Sequence, residues 1–86
     1  MSPVPYVQVD FRPAYALLHT SHGDVRLPRD LAPAVADVLL GRDAPACQRV
    51  HLSERDLRVS WPAASMTLPA VQAPLLAHML RNWAAA

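Results

Sequence analysis

Four side chains of the types that bind zinc occur as two closely spaced pairs. His19 and His22 are three positions apart, and Cys47 and His51 are four positions apart. Imidazole and thiolate are zinc ligands, and a site with four ligands would stabilise a chain with a small core. Zinc fingers, however, usually pair like ligands at tighter spacings. We therefore predict no metal and no cofactor, and regard the weak metal candidates His19, His22, Cys47 and His51 as surface histidines and an incidental thiol.

Residues suited to nucleophilic or acid–base catalysis are also present, but each has an ordinary structural explanation. Cys47 precedes His51 by four positions, yet a catalytic pair also needs a third orienting group and donors for an oxyanion, and none is identifiable. Glu54 and Asp56 flank a predicted turn beside Arg55, where charges are solvated. Two glycines cannot supply a phosphate-binding loop. We predict that the protein is not an enzyme.

The elements that would position these residues follow from hydrophobic periodicity. Residues 6–11 and 14–20 alternate as half-buried strands, and a short third strand covers 25–27. The period then changes to that of a helix, with Asp30 as the expected N-cap and Gly41 as its end. Pro33 must lie in the first helical turn, where a missing N–H costs nothing.

The same plan returns 41 positions later. The second half predicts strands over 48–52, 56–61 and 65–68, followed by a second helix. Pro74 stands at the same offset as Pro33, so both helices should begin with the same irregular turn. The two halves have identical residues at the equivalent positions Leu27/Leu68, Pro28/Pro69, Ala32/Ala73, Pro33/Pro74, Ala36/Ala77 and Leu39/Leu80.

The predicted fold class is therefore α+β, with two tandem βββα repeats in a single small domain over residues 1–86. The first repeat spans 6–41 and the second 47–84, and both helices are expected on one face of antiparallel sheet. Whether the strands form one sheet, a closed barrel or a sheet shared with another chain stays open. The predicted core consists of Val7, Val9, Phe11, Leu18, Val25, Leu27, Val35, Val38, Leu39, Val50, Leu52, Leu57, Val59, Trp61, Leu68, Leu76, Met79, Leu80 and Trp83.

The outer faces of the two predicted sheets differ. Alternation gives the first half an aromatic and apolar face with Tyr6, Tyr15 and Leu17, and the second half a polar face that includes His51. Tyr and Arg are enriched at binding hot spots, and exposed Tyr and Leu favour a partner. The predicted partner-binding residues are Tyr6, Tyr15, Leu17, Arg26, Arg49 and Arg58. The alternative is that the chain ends or a neighbouring loop cover these residues.

Composition narrows the classes of function. The chain has 86 residues, a formal net charge of +1 and eight basic residues, all of them Arg and without a cluster, which disfavours a dedicated phosphate-backbone binder. Abundant Ala, Pro, Leu and Val without Ile or Lys is typical of a GC-rich bacterial or phage genome. One cysteine and the lack of a signal-like or membrane-spanning stretch predict a cytoplasmic protein without a membrane partner.

The leading hypothesis is a non-catalytic protein-interaction module, an accessory, adaptor or inhibitor protein of bacterial or phage origin. It would bind a protein partner, or itself as a homodimer, through a sheet face or edge. The first alternative is single-stranded nucleic-acid binding, in which Tyr6 and Tyr15 stack bases while Arg26, Arg49 and Arg58 contact phosphates on one sheet face. A small zinc-binding protein is the third hypothesis.

Overall fold

The first half of the chain forms three antiparallel strands and a helix, as its periodicity predicts. A computed structural model describes residues 7–86, so Tyr6 lies outside the described residues. The strands are β1 (Val7–Phe11), β2 (Tyr15–Thr20) and β3 (Gly23–Pro28). A 3-10 turn over Arg29–Leu31 leads into α1 (Ala32–Leu39).

The second half repeats this order at the predicted offset. It contains β4 (Gln48–His51), β5 (Asp56–Trp61) and β6 (Ala64–Pro69), then a 3-10 turn over Ala70–Gln72 and α2 (Ala73–Ala85). The main difference is the length of the helix, which is 8 residues for α1 and 13 for α2. The α+β fold with two tandem βββα units is confirmed.

Equivalent hydrogen bonds fix the junction between sheet and helix in both halves. The N–H of Arg29 donates to the carbonyl oxygen of Ala14 at 3.0 Å, and the N–H of Ala70 donates to that of Arg55 at 2.6 Å. The two donors are 41 positions apart in the sequence, and so are the two acceptors. The repeat therefore extends to the hydrogen bonds at the point where each chain segment turns into its helix.

The strands form two separate antiparallel sheets. Within residues 7–86 the orders are β1-β2-β3 and β4-β5-β6, with no strand pairing between them. The sheets meet where β6 packs against β2 and β3. The indole Nε1 of Trp61 donates across this junction to the carbonyl oxygen of Arg26 at 3.2 Å. Within the described residues, the strands therefore form two open sheets rather than one sheet or a closed barrel.

Each helix packs on the sheet of the other half. α1 lies against β4 and β5, and it also packs along α2. α2 reaches over β1, where the rings of Trp83 and Phe11 have centroids 5.2 Å apart. An ion pair between Arg81 of α2 and Asp37 of α1 ties the helices together. Because the helix of each half packs on the sheet of the other half, the two halves share one hydrophobic core.

Most predicted core residues are buried or packed against the core. The largest fully buried side chains are contributed by strands and helices of both halves: Leu18, Leu27, Val35, Val59, Leu68, Leu76 and Leu80. Ala32, Ala36, Ala73 and Ala77 are also buried, although the sequence analysis omitted them. The prediction is wrong for Val50 and Leu52, which are 49% and 45% exposed.

The helix starts differ from one expectation and match another. Asp30 does not cap α1; it lies inside the 3-10 turn, and the N-cap is Leu31 without a side-chain hydrogen bond. Pro33 and Pro74 are each the second residue of an α-helix that follows a 3-10 turn. The shared irregular start is confirmed. It removes the need for a capping side chain, because the 3-10 turn continues directly into the α-helix.

A β-bulge shifts the register of the second hairpin by one residue. In the first hairpin, the N–H of Arg12 donates to the carbonyl oxygen of Tyr15 at 2.8 Å. In the second, the N–H groups of both Leu52 and Ser53 donate to that of Asp56, at 3.0 and 3.4 Å. Two residues therefore oppose one, and a one-residue slip turns every side chain of β4 to the other face.

This slip corrects the predicted faces of β4. Arg49 pairs with Val59 and therefore lies on the face that carries the core, and Val50 pairs with Arg58 on the outer face. His51 lies on the core face for the same reason, since it pairs with Leu57. The predicted outer positions of Arg49 and His51 and the predicted inner positions of Val50 and Leu52 are wrong.

In the part of the chain that the structure describes, neither helix combines the length and the apolar character that a membrane crossing requires.

Candidate functional site

The predicted binding residues of the first sheet lie together on its outer face. Tyr15 and Leu17 are half-buried, and the Arg26 guanidinium lies 4.8 Å from the centre of the Tyr15 ring. Leu17 has Asp10 opposite it on one side and Arg26 on the other. An acidic and a basic residue therefore flank Leu17 on this face. A cation–π contact also covers one face of Tyr15.

The predicted arginines do not share one surface. Arg26 lies on the first sheet, and Arg58 lies on the outer face of the second. Arg49 lies on the opposite face of that second sheet, where a Cβ at Gly41 would be 3.2 Å from its Nη1 atom. The arrangement in which Arg26, Arg49 and Arg58 contact phosphates from one sheet face is therefore wrong.

The four weak metal candidates are dispersed. The Nδ1 atom of His19 is 3.0 Å from Oδ1 of Asp24 in an exposed pair, and His22 contacts Ser21. Among residues 7–86, no three His, Cys, Asp or Glu side chains lie close enough together to hold a metal ion. Exposed pairs of this kind contribute little to stability.

Cys47 is buried where α1 ends. It is 7% exposed, and burial raises the pKa of its thiol. A protonated thiol is a poor nucleophile and a poor metal ligand. It borders a cleft of about 360 Å³, which is also lined by Gly41, Arg42 and Arg49. The lining of this cleft thus combines a buried thiol with two arginines and the carboxylate of Asp43.

A surface that the sequence analysis did not predict lies at the edge of the first sheet. Within residues 7–86, β1 pairs with β2 alone. The N–H of Arg12 points toward β2, so by alternation the N–H and C=O groups of Val7, Val9 and Phe11 point away from it. This edge therefore presents a row of backbone groups to which another strand can pair.

An apolar groove runs beside this edge. The N-terminal half of α2 stands next to β1, and between them is a groove of about 500 Å³ lined by Val7, Gln8, Val9, Gln72, Leu75, Leu76 and Met79. Leu75 is 64% exposed at its rim. We call β1 together with Gln72, Leu75 and Met79 the edge surface. It combines apolar side chains with backbone groups that no strand of residues 7–86 pairs, the two components of strand addition.

One polar atom of the edge surface lacks a partner. Within residues 7–86, the buried Oε1 atom of Gln72 accepts no hydrogen bond. A buried polar atom without a partner costs about 1–3 kcal/mol. Gln72 also lines the groove, so a donor brought there by a bound molecule would remove this cost.

The sequence contained a signal for Leu75 that was not used. The stripe of Leu76, Met79, Leu80 and Trp83 accounts for the buried side of α2, and Leu75 falls outside it. A large apolar residue outside the buried stripe of a helix is an exposed apolar candidate. The edge of β1 had no comparable signal, because strand order is not encoded in the alternation of one strand.

Comparison of the chain with protein-family models, with curated proteins and with solved structures found no match. The assignment of function therefore rests on the geometry of the edge surface and of the outer sheet faces.

Proposed function

We propose that this chain is a non-catalytic protein-interaction module that binds its partner through the edge surface. The observation that carries the proposal is the 64% exposure of Leu75 beside a strand edge and an apolar groove. Exposed apolar side chains next to a groove are typical of protein-binding surfaces. A polypeptide partner is favoured because its own N–H and C=O groups complement those of β1.

The chemistry of the groove favours a polypeptide over a charged ligand. Its lining residues are Val, Leu, Met and Gln, none of which is charged. Nucleic acid would require basic groups near its phosphates. A cytoplasmic location and a bacterial or phage origin belong to this proposal, on the grounds of the single cysteine and the Arg-rich, Lys-free composition.

The decisive variant is Leu75→Asp. Leu75 is the third residue of α2, where a negative charge is compatible with the helix dipole, so the fold should be retained. Leu52→Asp is the matched control, because Leu52 is an exposed leucine beside the edge strand of the other sheet. We expect Leu75→Asp to weaken binding by about tenfold or more, the effect of truncating an apolar hot spot.

Affinity capture from the source cells, followed by mass spectrometry, and mass determination by light scattering provide the readout. Proteins or oligomers that are lost with Leu75→Asp and retained with Leu52→Asp support the proposal. If neither variant differs from the wild type, the edge surface is not the interface. Leu17→Asp and Tyr15→Ala, tested in parallel, report on the outer face of the first sheet as the alternative surface.

A further inference from the structure

The edge surface is complementary to itself. It carries a protruding apolar side chain, Leu75, directly beside an apolar groove. A two-fold axis across the surface would bring Leu75 of each copy toward the groove of the other. Isologous contacts of this kind, in which the same patch serves both subunits, are the commonest route to homodimers.

The sequence of β1 also permits antiparallel pairing with itself. In a register centred on Val9, Val9 lies opposite Val9 of the second copy, and Gln8 lies opposite Asp10. The outward-pointing backbone groups of Val7, Val9 and Phe11 are those that this register pairs. The core-side residues of one β1 strand then lie opposite those of the other, so the core sides of both sheets are on the same face of the joined sheet.

Hydrogen-bond complementarity between side chains favours this register. The side-chain amide of Gln8 is a hydrogen-bond donor and the carboxylate of Asp10 is an acceptor, so the two outer-face pairs are favourable. Gln8 is exposed, and Asp10 already contacts Arg12 at 2.8 Å, which leaves a carboxylate oxygen for an amide donor. The register also keeps Asp10 away from Asp10 of the second copy.

The second edge strand differs in its length and in the residues on its core side. β4 has 4 residues, and its register turns Arg49 and His51 toward the core side. Short edge strands with charged residues pointing inward are a known protection against pairing. β1 has 5 residues and carries Val7, Val9 and Phe11 on that side, so the two edges are not equivalent.

We propose that a second copy of this chain occupies the edge surface, which forms a homodimer by antiparallel β1 pairing centred on Val9. This inference rests on the proposed function and identifies its partner. The two first sheets become one continuous six-stranded sheet. The N-terminal halves of the two α2 helices then lie side by side, with Leu75 and Met79 between them.

Opposite charges introduced at one exposed position test this register. Analytical ultracentrifugation of the full chain should show a mass that rises with concentration from the 9.4 kDa of the monomer toward the dimer. Gln8→Glu places a second carboxylate opposite Asp10 and should raise the dissociation constant about tenfold, while Gln8→Lys should lower it by a similar factor. Gln48→Glu and Gln48→Lys on β4 are matched controls and should change nothing.

The outcomes separate the two proposals. A wild-type chain that stays monomeric at every concentration overturns the dimer, as do Gln8 variants that both behave like the wild type. If the chain is monomeric but captures a partner that the Leu75→Asp variant loses, the dimer is overturned and the proposed interaction module is supported. A monomeric chain without any capture that depends on Leu75 overturns both.

Discussion

The two halves of the molecule share a backbone plan and differ in how their edge strands are covered. Val7, Val9 and Phe11 of β1 are half-buried beneath α2, whereas all four residues of β4 are exposed. The helices also differ in length, because α1 ends at Leu39, whereas α2 continues to Ala85 and places Trp83 on Phe11. Duplicated architecture thus provides two edges, and the edge of β1 lies beside an apolar groove with Leu75 at its rim.

The end of α2 is where the halves differ most, so a substitution there should give the largest effect on stability. Trp83 packs on Phe11, lies 5.5 Å beneath the Arg29 guanidinium and donates from Nε1 to the carbonyl oxygen of Arg12 at 3.2 Å. Trp83→Ala should lower the free energy of unfolding by about 2–3 kcal/mol, somewhat less than for a fully buried Trp. Urea denaturation measures this loss.

The repeat supplies a matched control for Trp83. Its equivalent in the first half is Arg42, an exposed residue whose Nη1 atom is 3.8 Å from Asp37. Arg42→Ala should change the free energy of unfolding by less than about 0.5 kcal/mol. Equal losses for both variants would contradict the assignment of Trp83 as the contact that holds α2 over β1.

A smaller effect is expected where α1 ends. Gly41 has a φ of +86°, and the N–H groups of Gly41 and Arg42 donate to the carbonyl oxygens of Val38 and Asp37 in a Schellman motif. Gly41→Ala should lower the free energy of unfolding by about 1–2 kcal/mol, because an L-residue is strained in this conformation. Urea denaturation again measures the loss, here as a test of what ends the shorter helix.

The Gly23→Ala variant is the control that separates the effect of backbone strain from the effect of a Cβ contact in the urea denaturation of Gly41→Ala. Gly23 has a φ of +124°, and a Cβ there would meet nothing within 4 Å, whereas a Cβ at Gly41 would press on the Arg49 guanidinium. Both variants should be destabilised, Gly41→Ala somewhat more. A Gly41→Ala protein as stable as the wild type would show that this glycine does not determine where α1 ends.

The sequence predicted the elements well because their periods are local. Strict alternation over residues 6–11 and the shared offset of Pro33 and Pro74 were sufficient for the strands and for both irregular helix starts. Leu18, Val59 and Leu80 were correctly placed in the core for the same reason. Each of these predictions depends on neighbours within one or two turns of chain.

The candidate site was less predictable because it depends on non-local geometry. The bulge at Leu52 and Ser53 reverses the faces of β4, and it is determined by hydrogen bonds to Asp56 rather than by hydrophobic pattern. As a result of the slip, Val50 is 49% exposed although α1 packs against β4. The groove beside Leu75 likewise exists only because α2 crosses to the sheet of the other half.

Amide hydrogen exchange at low and high protein concentration tests the difference between the two edges most directly. The outward N–H groups of Val9 and Phe11 should exchange freely in the monomer and become protected as concentration rises, because pairing at the edge surface buries them. Arg49 and His51 on β4 should show no such change. Protection that is independent of concentration at Val9 and Phe11, or that appears at β4 instead, would contradict the proposal that β1 and α2 form the interface.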